Sequence, residues 1–179
     1  DNSICDGALG FNGAITSTFT DANAQAGHGY TYVWSTGSDL TNPIGGQTGS
    51  SIIQRNGGFY TATIRNTTLN CTSSPVTTEI LNNQILPAIS AAPTPSTNCP
   101  GGADNGGITA SVTNGLAGQT FAFQWSKGNV IADPDVPNGN GGNTAAISNQ
   151  QGNQNYIVLV RNNQTGCQNT FIQAIAENS

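Results

Sequence analysis

The sequence is written twice over. Cys5, Gly13-Ala14-Ile15-Thr16, Tyr30-Thr31-Tyr32-Val33-Trp34-Ser35, Tyr60, Ile64-Arg65-Asn66 and Cys71 recur in the same order as Cys99, Gly106-Gly107-Ile108-Thr109, Phe121-Ala122-Phe123-Gln124-Trp125-Ser126, Tyr156, Val160-Arg161-Asn162 and Cys167. Matching positions are offset by 94 at the first cysteine, 91 at the tryptophan and 96 at both the arginine and the second cysteine. Blocks that keep their order while the spacing drifts put the length changes in loops, and each copy must then bury a core of its own. Between the copies, Pro87, Pro93 and Pro95 stiffen the segment 85–96. Such a segment reads as an extended connector. The expected domains are therefore 1–92 and 93–179.

Apolar residues come in short alternating bursts, as in Tyr30–Trp34, Tyr60–Ile64 and Phe121–Trp125, bounded by Gly and Asn. Period two with aromatic and β-branched residues marks half-buried strands, and no stretch of ten or more residues has helical spacing. The expected class is all-β. Each copy reads as about seven strands, the first just after the first cysteine and the last just after the second, which suits two tandem immunoglobulin-like β-sandwiches. In that topology the start of the first strand and the turn before the last one share an end. The pairs Cys5–Cys71 and Cys99–Cys167 are expected on that ground, one disulfide per domain, each stabilising by ~4 kcal/mol in the chain-entropy model. The competing arrangement is a staple across the connector, Cys71–Cys99. A zinc site is disfavoured because the cysteines are widely spaced and His28 is the one histidine. Paired cysteines imply an oxidising, extracellular setting.

Charged residues are 7% of the 179, with four Lys+Arg and a net charge of −5. So few cations exclude a grip on nucleic acid or a polybasic membrane patch. No apolar run approaches the length of a membrane span. A chain opening on Asp1 without a signal peptide is expected to be a processed form or a segment of something longer.

Trp34, Trp125, Tyr60 and Tyr156 sit on alternating strands and are expected in the cores rather than as sugar-stacking platforms. Arg65 and Arg161, half of all the cations, are expected to make strand-end hydrogen bonds or intramolecular pairs. Asp133, Asp135, Asn138 and Asn140 form an oxygen-rich candidate for Ca2+. The run lacks the spacing and terminal Glu of an EF-hand, and its prolines restrict wrapping, so a polar loop without cofactor is the favoured reading. His28 lies near Asp21 in sequence, but no nucleophile motif accompanies it, and no enzyme is expected. Asn66, Asn70 and Asn163 open N-x-[ST] triplets of the kind that accept N-glycans. Thr170–Ala176 reads as an apolar edge strand open to pairing with another chain.

The run Asn98-Cys99-Pro100-Gly101-Gly102-Ala103-Asp104-Asn105-Gly106-Gly107-Ile108-Thr109, followed by Phe121-Ala122-Phe123-Gln124-Trp125-Ser126-Lys127-Gly128, resembles the SprB repeat family of large Bacteroidota cell-surface adhesins, including those of gliding motility. Tyr156 to Val160 and Gly166-Cys167 match the closing part of the pattern. The first copy fits through Cys5-Asp6-Gly7, Ala14-Ile15-Thr16, Tyr30 to Gly37 and Gly58-Phe59-Tyr60, departing where Asn70 stands in place of the glycine before Cys71. The resemblance implies an extracellular stalk or adhesive repeat at the bacterial cell surface, with neighbouring repeats or subunits of one fibre as partners. Two other functions stay open. One is a carbohydrate-binding module using Tyr30 or Phe59 on surface glycans; the other is a filament subunit that assembles by strand exchange.

Overall fold

A computed structural model describes residues 1–21, 26–99, 102–131 and 135–178. The chain divides into two units, Asp1–Gln84 and Ile85–Ser179. Among the described residues all regular structure is β apart from two short 3-10 turns, Gly7–Leu9 and Asn138–Asn140. Among the described residues no helix is long and apolar enough to cross a membrane.

In the second unit β7 (Ile89–Thr94), β8 (Gly106–Val112) and β10 (Ala146–Gln150) form one antiparallel sheet, ordered β10-β8-β7. The other sheet is β12-β11-β9, from β9 (Phe121–Lys127), β11 (Gln154–Asn162) and β12 (Gln168–Ile175). Lettered A to G in chain order with D missing, these are the A-B-E and C-F-G sheets of an immunoglobulin-like sandwich. The first unit repeats the plan: β1 (Gly13–Thr16) pairs with β3 (Ser51–Arg55), while β4 (Gly58–Asn66) pairs with β2 (Tyr30–Thr36), with the short β5 (Cys71–Thr72) and with β6 (Val76–Ile80). Among the described residues β1 pairs only with β3, whereas its counterpart β8 is flanked on both sides.

The two cores match position by position. Ile15, Trp34, Ile52, Tyr60, Ala62 and Ile80 in one unit stand where Ile108, Trp125, Ile147, Tyr156, Val158 and Ile175 stand in the other. Trp34 faces Ala62 across the sheet and Trp125 faces Val158. Each tyrosine hydroxyl returns to the backbone just upstream, Tyr60 to the Asn56 oxygen at 3.0 Å and Tyr156 to the Gln151 oxygen at 3.2 Å. That bond resembles the tyrosine corner of immunoglobulin-like sandwiches and satisfies a polar atom on a buried ring. Gly106 opens β8 because the chain is tight there: a Cβ would lie 2.7 Å from the Gln150 carbonyl oxygen and 2.8 Å from the Ile175 side chain.

Three expectations need correction. The proline-bearing segment is not a free connector: Ile89–Thr94 is β7, with Pro93 opposite Ile108. Proline is tolerated because β7 is an edge strand, where a missing N–H need not face a partner. The boundary therefore falls at 84/85 rather than at 92/93. No strand follows the first cysteine; after Cys5 the chain makes the 3-10 turn, its first N–H groups capped by Asp6, whose Oδ1 accepts from the Ala8 N–H at 2.9 Å. Each unit thus shows six strands among the described residues, not seven. The extra short strand expected after the tryptophan strand is reduced to isolated bridges, Ser35 to Pro43 and Ser126 to Asp135.

Candidate functional site

The long F strands, β4 and β11, define two ends of each unit: a near end where they begin and a far end where they finish. At the near end the chain's opening segment is tied down by an asparagine. The Asn12 Oδ1 accepts from the Ser3 N–H at 2.9 Å, and the Asn105 Oδ1 accepts from the Thr97 N–H at 2.9 Å. Asn2 and Ser96 run parallel to the last strand's exit, bridging to Asn82 and Glu177. At the far end a second asparagine caps the turn after each F strand. The Asn66 Oδ1 accepts from the N–H groups of Thr68 and Leu69 at 2.9 and 3.0 Å, and the Asn162 Oδ1 from those of Gln164 and Thr165 at 2.9 and 3.1 Å. Side-chain carbonyls that satisfy two turn amides fix the geometry of these hairpins.

The cysteines separate along this axis. The near-end Cys99 lines a polar cleft of about 290 Å3 with Asn98, Asp104, Gln151 and Glu177. The far-end Cys167 accepts at its carbonyl from the Asn162 N–H at 2.8 Å. In the first unit Ile4, beside Cys5, accepts from Gln84 near the close of the last strand, while Cys71 pairs in register with Asn66 at the far end. Nine strand residues at roughly 3.3 Å each hold the two ends more than 25 Å apart. A disulfide needs Cα atoms within about 7 Å. The expected pairs Cys5–Cys71 and Cys99–Cys167 are therefore not formed. Cys5 and Cys167 are disulfide-bonded, and Cys71 and Cys99 are free, exposed thiols.

A second cleft, about 310 Å3, lies at the far end of the first unit. Phe19, Asp21, Tyr30, Ile64, Asn66 and Cys71 line it. The Phe19 ring, 42% exposed, packs at 4.6 Å and 51° against Tyr30. The Tyr30 hydroxyl donates to the Asp21 Oδ2 at 2.5 Å, and this bond to the carboxylate pushes the phenol pKa upward. An aromatic wall beside a carboxylate and amide groups can stack on a sugar ring and bind its hydroxyls. The second unit has no aromatic at the place of Phe19, so the arrangement is not repeated.

The remaining candidates are placed as follows. Trp34 and Trp125 are 2% and 0% exposed; their indole N–H groups donate to the carbonyls of Gly49 and Thr144 at 2.9 and 3.0 Å. Arg65 donates through Nε to the Asn70 Oδ1 at 3.1 Å, a strand-end bond, and Arg161 lies opposite Ala122 on the matching strand. His28 meets Asn66 at 3.3 Å. Phe59 stands exposed on β4 opposite Glu79. Of the Ca2+ candidates, Asp133 and the side chain of Asn138 lie outside the described residues. The Asp135 carboxylate accepts from Ser126 and Gln124 at 3.0 and 3.2 Å, and the Asn140 N–H is held in the local turn by Pro137. Among the described residues no group of three or more His, Cys, Asp and Glu gathers to hold a metal ion. The triplet asparagine Asn66 is buried and bonded, a poor glycan acceptor. Phe19 was not singled out in the sequence, because it lies past the end of β1 where alternation has stopped.

The strand order and core of both units are those of immunoglobulin-like sandwiches. No protein-family model matches the chain, and no curated protein is similar to it. Among solved structures, the three N-terminal domains of the outer capsid protein Hoc of bacteriophage RB49 align at 17% identity over 94% of this chain and 54% of that one, with a TM-score of 0.41. The chain thus spans about half of that fragment. The amphioxus IgVJ-C2 molecule aligns at 14% identity over 91% and 94% of the two chains, with a TM-score of 0.33. Domains 7, 8 and 9 of the S-layer protein SbsC align at 16% identity over 98% of this chain and 58% of that one, also with a TM-score of 0.33.

Proposed function

We propose that this chain is a pair of structural repeats from an extracellular, non-enzymatic surface fibre or adhesin stalk. The observation that carries the reading is the one-to-one repetition of framework bonds. The indole bonds of Trp34 and Trp125, the hydroxyl bonds of Tyr60 and Tyr156, and the turn caps of Asn66 and Asn162 occur in both units at matching places. Units that repeat their scaffold bonds while their clefts differ suit a load-bearing or spacing role, in which each copy need only fold and dock to the next. Neighbouring repeats or subunits of the same fibre are the proposed partners. The outward-facing Ile172 on β12, the outermost strand in its sheet's order, offers apolar surface for such docking. The test is the denatured mass of the polypeptide carrying this sequence on its native surface. Measured with disulfides reduced, a mass several times 18.3 kDa supports a long repeat protein; an 18.3 kDa polypeptide that does not assemble with further copies overturns the fibre reading.

A glycan-binding role for the first unit is the second reading, favoured by the Phe19–Tyr30–Asp21 cleft. Glycan-array binding that is lost in Phe19→Ala, with the fold intact, would establish it; an array with no binding above background would remove it.

A further inference from the structure

The far-end cleft of the first unit offers acceptors and aromatic faces but few polar hydrogens. Its side-chain donors are largely committed within the fold. The Tyr30 hydroxyl donates to the Asp21 Oδ2 at 2.5 Å, the Ser73 hydroxyl to the Ser74 carbonyl at 3.0 Å and the Cys71 thiol to the Leu69 carbonyl at 3.6 Å. The Asn66 amide nitrogen meets the His28 Nδ1 at 3.3 Å. A carboxylate, by contrast, carries about four acceptor sites on its two oxygens. Asp21 is the single charged residue among the described residues that line the cleft. Beside it the Phe19 ring packs 4.6 Å from that of Tyr30 and edge-on to Tyr32 at 6.2 Å. These contacts hold the Phe19 ring in place while it stays 42% exposed.

We infer that this cleft takes a sugar bearing a protonated amine, its CH face stacked on Phe19 and its ammonium held by the Asp21 carboxylate. The inference rests on the glycan-binding reading of the first unit and names the class of sugar. An ammonium brings donors and no acceptor, the complement of a lining whose own donors are largely used. The faces of Phe19 and Tyr30 attract a cation as well. The chain's net charge of −5 favours the approach of cationic ligands and opposes that of uronic and sialic acids. A neutral sugar would gain the stacking and neutral hydrogen bonds, whereas the ammonium–carboxylate contact is charge-assisted and stronger.

The Cys71 thiol reports occupancy, because it is exposed and lines the cleft; the exposed Cys99 lines a cleft of the second unit and is the internal control. Maleimide labelling of both cysteines is followed by peptide mass spectrometry at mildly acidic pH, where the sugar's amine is protonated. The probes are an oligomer of glucosamine, its fully N-acetylated counterpart and an oligomer of glucuronic acid. The glucosamine oligomer should slow labelling of Cys71 but not of Cys99, at a concentration about tenfold below that needed by the acetylated form. The acidic oligomer should give no protection. Asp21→Asn should abolish the preference for the amine, and Phe19→Ala should remove protection by both sugars. Equal protection by the amine and acetylated forms, or stronger protection by the acidic one, overturns the inference and leaves the glycan reading standing. No protection by any of the three also overturns the inference, while the glycan reading itself falls only on a blank glycan array.

Discussion

The indole Nε1 of Trp125 donates to the Thr144 carbonyl oxygen at 3.0 Å while its ring is fully buried against Val158, Ile108 and their neighbours. Trp34 does the same with Gly49 in the other unit. One side chain therefore packs the core and pins the loop that leads into the next strand.

Trp125→Ala removes both roles and should cost about 3–5 kcal/mol. Trp125→Phe keeps most of the packing, loses the bond and should cost about 1–3 kcal/mol. Urea unfolding followed by circular dichroism gives both values. A folded Trp125→Ala variant of unchanged stability would remove the tryptophan from the core's framework.

The asparagine caps make a separate prediction. Asn162→Ala strands the N–H groups of Gln164 and Thr165 and should destabilise by about 1–2 kcal/mol, with Asn66→Ala similar. Because Asn66 is bonded on both faces of its amide, glycopeptide mapping after expression in a glycosylating host should find it unmodified.

The buried tyrosines set an alkaline limit. Burial raises the Tyr156 phenol pKa above its ordinary value of 10.0, and burial likewise raises that of Tyr60. A folded-state pKa above the unfolded one means that the unfolded chain loses its protons first. Stability is full below about pH 10 and falls as pH rises through it. Melting temperatures between pH 8 and 11 should show this decline, and Tyr156→Phe should make it shallower. A decline of equal slope in the variant would assign it to other groups.

The thiol count distinguishes the cysteine arrangements directly. Dithionitrobenzoate should titrate two thiols per native chain, Cys71 and Cys99, and denaturation without reductant should expose no more. A count of zero in a chain that stays monomeric without reductant would mean a second disulfide within the chain.

Much of this protein is legible because its strands are local patterns. Alternation in Tyr30–Ser35 and Phe121–Ser126 names the inward residues, and a repeated motif names them twice. Trp34, Trp125, Tyr60 and Tyr156 are core by the same arithmetic, since a two-residue period puts every second side chain on one face. Where alternation stops, so does that signal. Phe19 reaches its cleft from beyond a strand, and Asn66 looks like a glycan acceptor until its turn folds back on its amide.

Composition and duplication, taken alone, decide that the chain is all-β, built of two like units, sparing in charge and without a basic surface. Those are statements about residue types and short spacings, which the backbone's two-residue pleat converts directly into structure. Which cysteines are too far apart to pair within a unit, and whether Pro93 belongs to a connector or to a strand, was settled only in three dimensions. Both depend on which end of a nine-residue strand a segment lies against. That is a long-range pairing, and the residues on either side of Cys5 or Pro93 carry no mark of it.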